Sequence, residues 1–293
     1  MKSPSRHPLL PLLLLSLPLV HSAGCSGGGG SSAYSATDSA GVRIIETRQL
    51  TWEAGEEWSV SPEPLLEIGE RDGEDPYQFF QLAGGLRLPD GRIVVLNSGS
   101  TQIRIFSGDG RFLTEFGGQG DGPEEFRAVS AVKYLGGDTL LIWDVGRPGF
   151  SLFNLSGDFI GSQRLTPPGT ERFSTVHPLA DDRLLLTTYA SLLTEFAGQG
   201  VGIHRDRAPL LVASLDGDAL DTIGVFPSVE TMIMEFGGTT GIGAPPFLKS
   251  TYFGVGNGSV YVGTAENLEV SVLDTKGDLK ALFRYPDIDL SVQ

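Results

Sequence analysis

The chain has 293 residues, with 21 Lys and Arg against 36 Asp and Glu and a formal net charge of −15. That balance argues against a nucleic-acid binder, which needs a basic face to neutralise phosphate. A single cysteine excludes both an internal disulfide and a cysteine-ligated zinc site. Forty glycines and 18 prolines in a chain that is 40% hydrophobic point to a globular body with many turns.

The first element in chain order is an address. Lys2 and Arg6 precede an apolar run from Leu9 to Val20, and Ser22-Ala23-Gly24 supplies small residues before Cys25. This is the layout of a secretory signal peptide over residues 1–24. The apolar run is too short for a stable membrane span. The lone cysteine at the cleavage point resembles a bacterial lipobox, with Ser22 where that motif usually carries leucine. The resemblance implies that Cys25 is lipidated and begins the mature chain. The Gly/Ser run from Ser26 to Ser32 then acts as a flexible tether, counted here as residues 25–40. The competing reading is ordinary cleavage nearby, which leaves a free thiol on a soluble secreted protein.

Residues 41–293 form the folded domain. Val42–Thr47 and residues 65–68 are expected as outer strands, with Trp52 and Trp58 packing this stretch onto the body. From residue 80 onward one pattern recurs. Polar turns at Asp90-Gly91, Gly136-Gly137-Asp138, Asp181-Asp182 and Asn257-Gly258 each introduce an apolar strand. Such turns supply positive φ between strands. A second strand then leads to a glycine at 110, 157, 217 or 277. Each unit holds about four short strands, and the units cover about 81–116, 128–165, 173–226 and 248–284. A repeat of roughly 40–50 residues with four antiparallel strands is the period of a propeller blade. The body is therefore read as all-β.

Two stretches carry a family resemblance. Phe80-Gln81-Leu82 runs through Pro89-Asp90-Gly91-Arg92-Ile93-Val94-Val95 to Gln102-Ile103-Arg104-Ile105-Phe106, and ends at Gly117-Gly118-Gln119-Gly120-Asp121-Gly122 and Phe126. This is similar to an NHL-type repeat of the six-bladed β-propeller superfamily. The second unit repeats it, with Asp144 where the first has Asn97. Pro64-Leu65-Leu66-Glu67-Ile68-Gly69 mirrors Phe112–Gly117, as if it were the outer strand of a further blade. The resemblance implies a β-propeller of four-stranded antiparallel blades, six-bladed in type and C-terminally incomplete in this chain. The alternative is a closed ring of five blades, with Val42–Thr47 and residues 52–68 supplying the fifth.

Few residues offer chemistry. The glycine-rich stretches 117–122 and 237–243 lack the Lys-Ser/Thr of a phosphate loop. Their recurring Glu-Phe-Gly-Gly reads as the crossover between blades. After the leader only His177 and His204 remain, so a three-histidine zinc centre is excluded. No Ser-His-Asp set assembles. His177 aligns with Lys133 and Leu86 on inner strands, either facing the channel or as a hydrogen-bonded structural residue. The charged run His204-Arg205-Asp206-Arg207 reads as solvated loop. Propeller hydrolases hold a channel calcium with oxygen ligands, which makes Asn97, Asp144 and Glu266 candidates; the plainer reading is turn residues that satisfy backbone donors. The candidate channel-facing contacts are thus Asn97, Asp144, His177 and Glu266, with no catalytic residue and no cofactor. The expected function is a non-enzymatic binding or scaffold module at the bacterial cell envelope, with an envelope protein or extracellular ligand as partner and the membrane reached only through the lipid. The alternative is a hydrolase or lactonase with calcium in the central channel.

Overall fold

The computed structural model describes residues 34–48, 58–147, 149–169, 172–189, 199–216 and 220–286. The signal peptide, Cys25 and Trp52 lie outside these residues.

The chain enters as a hairpin of β1 (Tyr34–Ser39) and β2 (Val42–Thr47), closed by Ala40 and Gly41 at φ of +52° and +82°. Among the described residues, β1 lies within the stretch expected as tether. The first blade consists of β3 (Leu82–Arg87), β4 (Ile93–Asn97), β5 (Gln102–Phe106) and β6 (Phe112–Gly117), all antiparallel. The second repeats it with β7 (Val129–Gly136), β8 (Thr139–Asp144), β9 (Gly149–Asn154) and β10 (Phe159–Arg164). The third begins with β11 (Arg172–Pro178) and β12 (Arg183–Tyr189). It sends out a short strand, β13 (Gly202–His204), before β14 (Arg207–Ser214) and β15 (Leu220–Pro227) complete it. The hairpin β16 (Thr231–Phe236) and β17 (Thr239–Gly243) pairs with β13 as a separate three-stranded sheet. The fourth blade is β18 (Tyr252–Gly256), β19 (Ser259–Gly263), β20 (Glu269–Leu273) and β21 (Leu279–Arg284). Its outer strand β21 pairs in parallel with β2, so this sheet has the order β1-β2-β21-β20-β19-β18. Val42–Thr47 thus extends the fourth blade and founds no fifth.

The first strands stand side by side, β3 next to β7, β7 next to β11, and β11 next to β18. Blades in this arrangement bury both faces, and the strand period of two assigns alternate residues to opposite neighbours. On β8, Leu140 and Ile142 join a core with Val94, Leu96, Ile103 and Ile105 of the first blade. Their neighbours Leu141 and Trp143 join a core with Val176, Leu184 and Leu186 of the third. A smaller core joins Leu185, Leu210 and Val212 to Val260, Val262 and Leu273 of the fourth blade. The protein is a β-propeller with its apolar core divided among the interfaces between blades.

The repeated glycines have a shared task. Gly110, Gly157 and Gly277 have φ of +87°, +93° and +91°. A Cβ on Gly157 would lie 3.0 Å from Phe116 of the preceding blade's β6, and one on Gly277 would lie 2.0 Å from the Ile223 carbonyl oxygen on β15. Each glycine lets one blade's outer turn close onto the preceding blade's outer strand. At Gly110 that place is taken by Leu66 and Ile68, at 3.1 and 3.4 Å from a Cβ there. Residues 65–68 therefore occupy an outer-strand position against the first blade, yet they are coil and not the expected strand. Trp58 does not pack onto the body; it is 92% exposed.

Candidate functional site

The inner strands of the first three blades each carry an irregularity near their start, between Leu82 and Gly84, Val129 and Ala131, and Phe173 and Val176. A bulge frees backbone N–H groups from the ladder, and these need partners when buried. In the first blade the Phe80 N–H donates to Asn97 Oδ1 at 2.7 Å, while Asn97 Nδ2 donates to Ser100 Oγ at 2.8 Å. In the second, Asp144 accepts from the backbone N–H groups of Arg127 (2.9 Å), Ala128 (3.0 Å), Gly146 (2.8 Å) and Arg147 (3.3 Å). The Arg147 guanidinium lies 3.6 Å from the same carboxylate. Both side chains are buried and act as latches on the chain that enters the inner strand.

The third blade departs from this scheme. Thr188 faces Phe173 in the pairing, as Asn97 faces Leu82 and Asp144 faces Val129. Its hydroxyl donates within its own blade, to the Pro209 carbonyl at 2.8 Å. The irregularity at Ser174 and Thr175 is met by Thr187, whose Oγ1 accepts from the Thr175 N–H at 3.0 Å and lies 2.7 Å from Thr175 Oγ1. Hydroxyls have replaced the amide and the carboxylate, and a cleft opens beside them.

The cleft lies between the third and fourth blades and encloses about 490 Å³. Strands β11, β12 and β14 give it Thr175, His177, Thr187, Thr188 and Tyr189, with Ala208 and Pro209. The end of β15 adds Phe226, whose ring meets Phe253 edge-on at 5.8 Å. Ser250, Thr251 and Tyr252 complete it from the start of the fourth blade, and Tyr252 is 73% exposed. Among the described residues, no Lys, Arg, Asp or Glu lines it. His177 Nε2 is 3.1 Å from Thr175 Oγ1. Burial, helped by the positive charge of Lys133, pushes the His177 pKa down to about 4, so the ring is neutral at pH 7.

Arg205 holds the rim. Its side chain is 12% exposed and donates to the Ser228 carbonyl at 2.9 Å, to Thr251 Oγ1 at 3.3 Å, to the Thr264 carbonyl and to Glu266 at 3.2 Å. The expected solvated run therefore contains a buried clamp between the third and fourth blades. Of the four candidate contacts, His177 lines the cleft, Glu266 borders it through Arg205, and Asn97 and Asp144 belong to other blades. Asn97 and Asp144 are engaged by groups of the first two blades, and Glu266 by Arg205. Among the described residues no three His, Cys, Asp or Glu side chains gather as a metal site. The cleft's hydroxyl lining had one signal in the sequence: Thr187-Thr188 stands where the other blades carry Asn97 or Asp144. Arg205 had none.

A family model described as a 6-bladed beta-propeller, DUF5128, matches residues 80–184. No curated protein matches the chain. Among solved structures, the chain is similar to a candidate exported protein of Bacteroides fragilis, with 17% identity, TM-score 0.48, and coverage of 78% of this chain and 56% of that one. A Bacteroides caccae protein of unknown function is 15% identical over 51% of this chain and 49% of its own, with TM-score 0.35. A virginiamycin B lyase from Staphylococcus aureus is 12% identical over 70% of each chain, with TM-score 0.37. The chain thus spans about half the length of the two Bacteroides proteins.

Proposed function

We propose that this chain is an exported, lipid-anchored β-propeller that works as a non-enzymatic binding module at the bacterial cell envelope, with its ligand seated between the third and fourth blades. The observation that carries the reading is the cleft of about 490 Å³, uncharged and walled by rings and hydroxyls. Its size falls in the range of about 300–1,000 Å³ usual for small-molecule sites, and its mixed lining is of the usual kind. The leader, Cys25 and the Gly/Ser run that follows support the address.

A thermal-shift screen of the purified full chain against a small-molecule collection tests the site. Ligands that raise the melting temperature should lose that effect in Tyr252→Ala, and should be recovered unchanged after long incubation. Hits indifferent to Tyr252→Ala would move the site elsewhere, and a converted ligand would make the protein an enzyme. Labelled palmitate should enter the wild-type chain in cells and be absent from Cys25→Ser; equal labelling would remove the anchor.

A further inference from the structure

We infer that the cleft takes a neutral, hydroxyl-rich ligand, a short oligosaccharide without charged groups. This rests on the reading of the cleft as the binding site and names the class of molecule it would hold.

The first argument is charge. The chain's net charge is −15, and no cationic side chain is among the described residues that line the cleft. An anionic ligand would leave water for an acidic protein and meet no cationic side chain among the described lining residues; Lys133, near enough to His177 to lower its pKa, stands outside that lining. A cationic ligand would find no carboxylate among the described lining residues. The one titratable group present with a resolved shift, His177, is neutral at pH 7. A ligand without charge matches the described lining.

The second argument is hydrogen-bonding type. The side-chain hydroxyls of Tyr189, Ser228, Ser250 and Tyr252 line the cleft and make no hydrogen bond with the described residues. A hydroxyl donates and accepts, and it rotates to suit its partner. A polyol offers the same dual character at every position, so the two sets can pair in many registers. An extended peptide, by contrast, offers donors and acceptors in a fixed order and is best met by backbone groups at a sheet edge.

The third argument is shape. The Phe226–Phe253 pair gives the cleft apolar lining, and Tyr252, largely exposed, is also among its lining residues. Tyrosine combines an apolar ring face with a polar tip. A pyranose has the matching form, with a C–H face on one side and hydroxyls around the rim.

The test is calorimetric titration of the purified full chain with cellotriose, mannotriose, maltotriose and trigalacturonate. At least one neutral trisaccharide should bind and trigalacturonate should not. Tyr252→Ala should weaken the binding at least tenfold, and Ser250→Trp, which fills space at the same wall, should abolish it. Tyr252 is largely exposed, so its removal leaves the fold intact, and circular dichroism of both variants checks this. Binding of trigalacturonate as tight as that of any neutral sugar, or no neutral sugar bound, would overturn the saccharide class. If a neutral peptide from a parallel titration bound and lost affinity in Tyr252→Ala, the cleft would stand as the site while the saccharide fell. A bound trisaccharide indifferent to both variants would overturn the cleft itself.

Discussion

The first and third interfaces between blades are built from the same strands in the same order, yet they differ in what fills them. Between the first and second blades, twelve buried apolar residues form one core, with Phe116 stacked on Phe153 at 4.7 Å and Phe126 beside it. Between the third and fourth, the buried core has six residues, none of them aromatic. Its rings, Phe226 and Phe253, are only partly buried and stand at the cleft. Where the packing is continuous, buried polar side chains latch the backbone. Where it thins, the same positions carry threonines and a cavity remains. Propeller blades thus share a backbone plan while stability is distributed unevenly among them, and a ligand site falls at the thin end.

The largest expected effect sharpens this contrast. Asp144→Ala strands four backbone donors in a buried site, and should lower the unfolding free energy by about 4 kcal/mol. Thr187→Val at the third blade removes one acceptor beside a cavity open to water, and should cost about 1 kcal/mol. Urea titrations with unchanged m-values measure both. Equal costs would mean that the two blades are equally constrained, and the comparison would fail.

Two arginines give the next contrast. Arg104, buried in the first blade, donates to the Pro76 carbonyl at 3.1 Å and the Gln78 carbonyl at 2.6 Å, and pairs with Glu115 at 3.1 Å. Arg205 makes corresponding carbonyl contacts across the cleft rim. Methionine at either site keeps the aliphatic stem and removes the donors. Arg104→Met should cost about 3 kcal/mol and Arg205→Met about 2 kcal/mol. Only Arg205→Met should also speed hydrogen exchange at Ser228 and Thr251, because it alone releases the rim. Protection there unchanged from wild type would show that Arg205 does not hold the cleft.

Much of this was legible in the sequence for local reasons. Asp90-Gly91 and Asn257-Gly258 mark turns because few other residues reach positive φ cheaply, and Gly91, Asn257 and Gly258 have it. The unbroken apolar run Leu140–Trp143 on β8 is that of a strand buried on both faces. What was not legible depended on partners distant in the chain. Glu115-Phe116-Gly117-Gly118 leads from one blade to the next, whereas the same four letters at 235–238 close the β16–β17 hairpin, with Gly237 and Gly238 at φ of +58° and +82°. Only the strand paired beyond them distinguishes the two. Residues 65–68 have the pattern of an outer strand and its place against Gly110, but no strand beside them among the described residues. Arg205 sits in a charged run whose burial is decided by loops from Ser228, Thr251 and Thr264.

The smallest effect bears on the cleft directly. The His177 pKa is about 4 in the folded protein, against 6.5 for an ordinary histidine. Below pH 6.5 the unfolded chain takes up a proton at this ring and the folded chain does not. Stability therefore falls as the pH drops through 6.5, and the loss levels off below about 4, where both states are protonated. Because the ring is partly open to the cleft, solvent screening leaves a loss of about 1 kcal/mol. Carboxylates titrate over the lower part of the same range, so the informative quantity is the difference between wild type and His177→Leu. That difference should be constant above pH 7 and shift by about 1 kcal/mol in favour of the variant between pH 6.5 and 4. A difference flat across the range would mean that His177 protonates freely in the folded state, and that the third interface is more open to water than its lining implies. The contrast with the first interface would then be sharper still, because no histidine lies in that core.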